Sequence, residues 1–244
     1  MGDCNVRGPE TGPNTAIVAI GERIFSLLRQ IDEEADTIDG KVRSGIVNYA
    51  CHYRANFGPL PSRKYERPIS ERLAMLLREA GQNARTECLY PGSRNKCDVV
   101  ASFGPARALW LEDKMAWKAW FADQKYPPAK CEYVVEETEM GRVKATADTT
   151  YRGYLSGEGK THSAAQDIDK LDDLSSRDTD YVAGLLIGFD HVDLPMQEDV
   201  ETEVIGRKHL LSNGWTVLGP YVWCDPAYDR CRICCWLWGR RATE

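Results

Sequence analysis

At 244 residues, of which 43% are hydrophobic, the chain is long enough to bury a sizeable core. It has no apolar stretch near the roughly 20 residues that cross a bilayer and begins without the charged and apolar regions of a signal peptide, so we expect a soluble, cytoplasmic protein. The net charge of −6 argues against a protein that coats nucleic acid through general phosphate contacts.

Nine cysteines, an odd number, do not suggest an extracellular disulfide framework. One Cys-X-X-Cys lies in the C-terminal group formed by Cys224, Cys231, Cys234 and Cys235. A second pair of metal-ligand spacing is missing, and a strand would direct Cys234 and Cys235 to opposite faces. We therefore expect buried thiols here, not a zinc site.

The N-terminal segment is predicted to be a disordered tail followed by helices. Residues 1–14 are rich in Gly, Pro and polar groups. The periodicity of Thr15 to Asp32 predicts an amphipathic helix, and a second helix is expected near Val42 to Ala55. Together, residues 15–60 form a helical addition to the core.

Residues 69–190 carry the pattern of an α/β core. Ile69 to Gly81 has apolar residues at helical spacing. Three strands are then predicted over 84–90, 96–103 and 106–117, and Gly104-Pro105 joins the last two as a hairpin. A later helix is expected over Thr161 to Ser175. The continuous apolar run Tyr181 to Phe189 is typical of a strand that is buried on both faces.

Two segments lie outside this pattern. An insert over 118–160, with strands near 131–137 and 142–151, either touches substrate or is a surface excursion. Residues 191–244 predict a helix over Met196 to Leu211 and a β-hairpin that extends the sheet. The strands of that hairpin are expected over 215–224 and 232–238.

The strongest functional signal lies in the predicted hairpin. Glu112 and Lys114 are two residues apart, so on a strand they point to the same face. If the hairpin turns at residue 105, Asp98 lies opposite Glu112. Two carboxylates beside an ammonium can hold a divalent cation and place a positive charge next to a phosphate or a water. This arrangement suits phosphodiester hydrolysis.

An Asp on the second strand and Glu-X-Lys on the third, within the order helix, three strands, helix, strand, resembles the PD-(D/E)XK nuclease superfamily. Cys97 stands where the name of the superfamily has Pro. The resemblance implies an α/β protein with a restriction-endonuclease-like mixed central sheet flanked by helices. It also implies a nuclease that uses Mg2+ or Mn2+, with nucleic acid, expected to be DNA, as its partner. Members often act as homodimers.

The resemblance also implies roles for individual residues. Asp98 and Glu112 would bind the ion together with the backbone carbonyl of Asp113. Lys114 would position the attacking water and stabilise charge on the phosphate.

Three further polar residues match positions that some members use on their helices. Glu71 matches a glutamate of the first core helix, although it falls nearly opposite the leucine stripe of that helix. Gln166 and Lys170, four apart on the second core helix, resemble polar residues that some members direct toward the site.

Several alternatives stay open. Glu112 and Lys114 could form a simple ion pair on an exposed strand. The chain could be a catalytically silent member that binds nucleic acid or protein, or an unrelated α/β protein in which the motif is coincidental. A nucleotide-binding loop is not expected at Ser156 to Thr161, because the required glycine is replaced by Tyr154. The seven tryptophans are interpreted as core residues, not as surfaces for base stacking.

Overall fold

A six-stranded mixed β-sheet with helices on both faces is the centre of this α/β protein. The structure is a computed structural model and describes residues 13–38, 40–50, 67–103, 107–121, 131–139, 141–158, 162–174 and 181–241. The described helices are α1 (Pro13–Glu33), α2 (Gly45–Ala50), α3 (Arg67–Glu79), α4 (Asp148–Ser156), α5 (Ala164–Asp172) and α6 (Gln197–Val200), the last continuing as a π-helix over Glu201–Gly206. The described strands are β1 (Asp36–Ile38), β2 (Lys41–Arg43), β3 (Ala84–Leu89), β4 (Lys96–Ser102), β5 (Ala108–Trp117), β6 (Ala119–Phe121), β7 (Cys131–Thr138), β8 (Gly141–Thr146), β9 (Tyr181–His191), β10 (Thr216–Asp225) and β11 (Tyr228–Arg241).

The strand order of the central sheet is β10-β11-β9-β5-β4-β3. Strands β3, β4 and β5 form an antiparallel meander, whereas β5 and β9 are parallel. A parallel pair requires a crossover connection, and α5 lies within it. The prediction of a mixed central sheet flanked by helices is confirmed. The prediction that a C-terminal hairpin extends it is also confirmed, because β11 pairs with β9 and β10 pairs with β11.

The two faces of the sheet carry separate cores. Alternate residues of β5, such as Leu111 and Met115, pack with residues of α1, α2 and α3. Residues on the other face of β5, such as Ala116, pack with α4, α5 and α6. All 11 residues of β9 are buried, as the apolar run predicted for a strand covered on both faces.

Helix α1 confirms the predicted amphipathic helix. Its core-facing residues are Ile17, Ile20, Ile24, Leu27, Leu28 and Ile31. The helix begins at Pro13, so residues 13–14 belong to it and not to the predicted tail. Pro is tolerated in the first turn because the N–H it lacks would have no helical partner there. Residues 1–12 of that tail lie outside the described residues.

The predicted helix over Val42 to Ala55 is wrong at its start. Residues 41–43 form β2, which pairs with β1 around Gly40, a residue of positive φ. Since Val42 is paired with Thr37 in a strand ladder, the helix begins only at Gly45. Residues 51–55 of the prediction lie outside the described part of the chain.

The insert was predicted to form two strands, and the second of these, predicted over 142–151, is longer than the strand that the structure shows. Strand β8 ends at Thr146, and α4 begins at Asp148. The reason is packing: Tyr151 and Leu155, one helical turn apart, are both buried in the core on the α5 face. The insert also supplies β6, and its three strands form a separate sheet in the order β6-β8-β7.

The C-terminal region follows the prediction with one difference. The helix predicted over 196–211 is α-helical only to Val200, then π-helical to Gly206, and it ends in turns. Met196, Val200 and Val204 are buried. Cys234 and Cys235 pack into different cores, so the strand alternation predicted for them is confirmed. No helix within the described ranges is long and apolar enough to cross a membrane.

Candidate metal and phosphate site

The register of the β4–β5 hairpin brings the predicted carboxylates together. Val99 pairs with Leu111 and Ala101 pairs with Leu109. Continuing this register by one residue places Asp98 level with Glu112, so the predicted register is confirmed. The turn itself, residues 104–106, lies outside the described residues.

Asp98 and Glu112 are in direct contact. The backbone N–H of Asp113 donates to Asp98 Oδ2 at 3.0 Å, which ties the Asp98 carboxylate to β5. The nearby charge of Asp98 is one of the causes that raise the Glu112 pKa. Two carboxyl groups this close are unfavourable when both are ionised, so a proton or a cation stabilises the pair.

Glu112 is the deeper of the two carboxyls, with 4% of its surface exposed. The Tyr90 hydroxyl donates to Glu112 Oε1. Burial, the charges of Asp98 and Asp167, and the hydrogen bond with Asp98 together raise the pKa of Glu112 to about 9. Glu112 is therefore neutral near pH 7.

An aromatic side chain covers the β9 side of Glu112. Gly184 of β9 is level with Glu112 in the register, and Trp238 of β11 is level with Gly184. Trp238 takes the space that a side chain on Gly184 would need, because a Cβ there would lie 2.0 Å from Trp238 Nε1. Trp238 is 1% exposed. Trp238 therefore fills the space over Gly184, the register neighbour of Glu112.

Two ammonium groups lie next to the carboxyl pair. Lys114 Nζ is 3.3 Å from Asp167 Oδ2, and Lys170 Nζ is 2.5 Å from Asp167 Oδ1. Asp167 is on α5 and 3% exposed, so it holds both lysines at the surface of the sheet. Burial disfavours the charge of Lys170, but the attraction of Asp167 and Glu112 outweighs it and raises the Lys170 pKa.

These five groups form a nearly neutral set. With Glu112 protonated, the negative charges of Asp98 and Asp167 balance the positive charges of Lys114 and Lys170. A divalent cation that displaces the proton of Glu112 would leave the site with net charge +1. Such a site favours an anionic ligand.

Glu71 does not join this site, contrary to the prediction. It lies on α3, which packs against the opposite face of the sheet, and its Oε1 accepts a hydrogen bond from Arg67 Nε at 2.7 Å. Asp113 also directs its side chain to that face, where Ser70 Oγ donates to its Oδ2 at 2.6 Å. Only the backbone of Asp113 is next to Asp98.

Gln166 has a structural role at the start of α5. Its Oε1 accepts from the backbone N–H of Ser163 at 3.2 Å, and the backbone N–H of Gln166 donates to Ser163 Oγ at 3.1 Å. This is a capping box, which satisfies N–H groups at the helix N-terminus. Capping accounts for a residue that we predicted to point toward the site.

Replacing Gln166 should therefore affect stability. We expect Gln166→Ala to lower the free energy of unfolding by about 0.3–1.5 kcal/mol, the usual contribution of a helix cap. Thermal unfolding measures it, with Gln197→Ala as the control, because the Gln197 side chain donates to the exposed Glu201 side chain. Equal stability of Gln166→Ala and wild type would contradict the capping role.

Two site residues were missed from the sequence. Tyr90 was predicted only as the last residue of a strand. Asp167 lies between the two residues that were named on α5, and it had a detectable signal. Helical spacing places it on the same stripe as Ala164, Ile168 and Leu171, which are all buried. An acidic residue on an apolar stripe indicates a buried partner.

A separate cleft of about 560 Å3 lies on the α1 side of the sheet. Ala16, Ile20, Gln82, Arg107 and Tyr181 are among its lining residues. The Arg107 guanidinium donates to the Tyr181 hydroxyl there. None of the site carboxyls or lysines lines this cleft, so it is distinct from the site on the α5 face.

Within the described ranges, no three His, Cys, Asp or Glu side chains form a group suited to a metal ion. A cation held by Asp98 and Glu112 would therefore need a backbone carbonyl, water or substrate oxygens as further ligands. Mg2+ is commonly bound in this way, through one or two carboxylates, water and phosphate.

No protein-family model, curated protein or solved structure matches the chain.

Proposed function

We propose that this protein is a metal-dependent nuclease that hydrolyses phosphodiester bonds in DNA on a restriction-endonuclease-like core. The observation that carries the proposal is that the β4–β5 register and the Asp113 N–H bring Asp98 beside Glu112, on the face of the sheet that also holds the Lys114 ammonium. A buried pair of carboxyls is unfavourable without compensation by a proton or a cation. The protein retains the pair at that cost, and a cation-binding role accounts for it.

The order of elements supports the same proposal. Apart from the insert with β6, β7, β8 and α4, the elements from α3 to β9 have the order helix, three strands, helix, strand: α3, β3, β4, β5, α5 and β9. Asp98 is on the second of these strands, and Glu112 and Lys114 are on the third. This arrangement resembles that of the PD-(D/E)XK nucleases.

The residues present fit a hard divalent cation. Carboxylate and carbonyl oxygens are the ligands that Mg2+ and Mn2+ prefer. Asp98, Glu112 and the backbone carbonyl of Asp113 would hold the ion. When bound, such an ion supplies positive charge next to a phosphate and makes a water molecule easier to deprotonate.

The protein's own groups prepare the rest of the reaction. Asp98 is fixed by the Asp113 N–H, so the carboxylate is oriented before substrate arrives. Lys114 orients the attacking water and stabilises the charge that develops on the phosphate oxygens. Asp167 holds the Lys114 ammonium in place, and Lys170 adds a second positive charge on the same side. A preorganised charge of this kind needs no rearrangement during the reaction.

The proposal is tested by cleavage of labelled single- and double-stranded DNA with Mg2+ or Mn2+. We expect cleavage by the wild-type protein, and none with EDTA or with the Asp98→Asn variant. Asparagine keeps an oxygen that can accept from the Asp113 N–H, so the hairpin should stay intact while a ligand charge is lost. The matched control is Asp36→Asn, since Asp36 Oδ1 also accepts a backbone N–H, at 2.8 Å, but lies far along the chain in β1.

Equal cleavage by Asp98→Asn and wild type would refute the assignment of the site. Wild-type protein that neither cleaves DNA or RNA nor binds Mn2+ by calorimetry would favour the alternative, a catalytically silent interaction module. RNA cleavage without DNA cleavage would keep the metal nuclease and correct the substrate. Sedimentation of the same sample tests whether the active species is a homodimer.

A further inference from the structure

The Tyr90 hydroxyl is the one hydrogen-bond donor outside the proposed catalytic set that the described contacts direct at Glu112. It donates to Glu112 Oε1, and Tyr90 is 6% exposed. Tyr90 follows β3, and its ring stacks on Trp110 of β5 with ring centroids 5.6 Å apart. The backbone after β3 and the Trp110 ring of β5 together hold the Tyr90 ring, so the hydroxyl is in a defined position.

The Tyr90 phenol carries its proton at neutral pH, because the ordinary pKa of tyrosine is about 10. Burial raises the pKa of Tyr90 further. The hydroxyl is therefore a donor to Glu112 Oε1 under the conditions in which a cation would bind.

A permanent donor affects a carboxylate ligand in two ways. It fixes one oxygen, so that the carboxyl group cannot rotate away from Asp98. It also favours the ionised form of the carboxylate, the form that binds a cation. Removal of a donor of this kind typically lowers metal affinity by about 10- to 100-fold.

We infer that Tyr90 is a positioning residue for the cation, which holds Glu112 oriented toward Asp98 by donating to its Oε1. This inference rests on the proposed function, because it assigns Glu112 as a ligand. Tyr90 would act on the cation through Glu112. Its effect should appear first in cation affinity.

The test is calorimetric titration of Mn2+ into wild type, Tyr90→Phe and Tyr49→Phe. The Phe variant at 90 removes one oxygen and retains the ring that stacks on Trp110, so it should fold. Tyr49 is the matched control, because its hydroxyl also donates to a glutamate, Glu34 Oε2, at 2.9 Å, but it lies on α2 on the other side of the sheet. Thermal unfolding of all three proteins measures any general loss of stability.

We expect Tyr90→Phe to bind Mn2+ about tenfold or more weakly than wild type, and Tyr49→Phe to bind like wild type. Equal Mn2+ affinity of Tyr90→Phe and wild type would overturn the role of Tyr90 and leave the proposed nuclease intact. An equal loss of affinity in Tyr49→Phe would also overturn it, since the effect would then come from general destabilisation. A wild-type protein that binds no Mn2+ would overturn the proposed metal site and the role of Tyr90 together.

Discussion

Lys114→Ala should reduce cleavage by at least about a hundredfold, the usual loss when a group that stabilises transition-state charge is removed. Lys114 is the ammonium in the Glu-X-Lys motif, and its side chain is 12% exposed beside Asp167. The fold should survive the change, because Asp167 Oδ1 keeps its contact with Lys170 Nζ. Initial cleavage rates at saturating Mg2+ measure the effect.

The matched control for this variant is Lys208→Ala. Lys208 also pairs with an aspartate of α5, because its Nζ lies 2.6 Å from Asp169 Oδ1, but Asp169 is exposed and outside the site. Loss of cleavage in Lys114→Ala, with Mn2+ binding retained and the Lys208 variant active, would support a catalytic lysine. Wild-type rates in Lys114→Ala would show that the motif is only a structural ion pair.

Glu112→Gln should remove cation binding and make the protein more stable at alkaline pH. Gln retains the shape of a protonated Glu, including an oxygen that accepts from Tyr90 and a donor for Asp98. We expect a gain of about 2 kcal/mol or more in the free energy of unfolding at pH 8, because each pH unit above the ordinary Glu pKa costs the wild type about 1.4 kcal/mol. For a chain of this size that gain raises the Tm by about 4–8 °C.

The pH dependence of this effect has a defined sign. The Glu112 pKa is raised from 4.5 to about 9 in the folded protein, so the folded state binds the proton more tightly than the unfolded state. The stability that the protonated group contributes is complete below pH 4.5 and is lost as pH rises from there toward 9. Gln cannot lose a proton, so the advantage of the variant should be small at pH 5 and largest near pH 9.

Unfolding in denaturant at pH 5 and pH 8, without added metal, measures the difference. Glu33→Gln is the control, because the Glu33 side chain is 68% exposed and pairs only loosely with Arg29. If Glu112→Gln were equally or less stable than wild type at pH 8, the ionised Glu112 carboxylate would not destabilise the fold in the absence of a cation. A stabilising change that abolishes function would indicate that the chain retains this carboxyl for its chemistry.

Local periodicity was enough to predict the sheet and the register of its central hairpin. Alternation along β5 separated Glu112 and Lys114 from Asp113, and the turn position placed Asp98 opposite Glu112. These properties follow from the two-residue repeat of a strand, which depends on the backbone alone. The apolar run of β9 similarly predicted a strand with both faces covered.

The same reasoning was wrong where packing between distant segments decides the conformation. The Tyr151 region has a mixed polar and aromatic sequence that suits a strand, but Tyr151 and Leu155 reach the core only as a helix. At residues 41–43, pairing with β1 takes precedence over helical propensity. Glu71 was assigned to the site by the resemblance, but α3 packs against the opposite face of the sheet, which keeps Glu71 from Glu112.

By itself, the sequence determined the types of the core elements from α3 to β5, the alternation of their strands and the identity of Asp98, Glu112 and Lys114 as neighbours in one hairpin. Only the tertiary structure decided that Tyr90 donates to Glu112, that Asp167 holds Lys114 and Lys170, and that Trp238 covers Gly184 beside the site. The reason is physical: the contacts within the hairpin follow from backbone geometry at short range. The partners of a buried charge depend instead on how distant strands and helices pack around it.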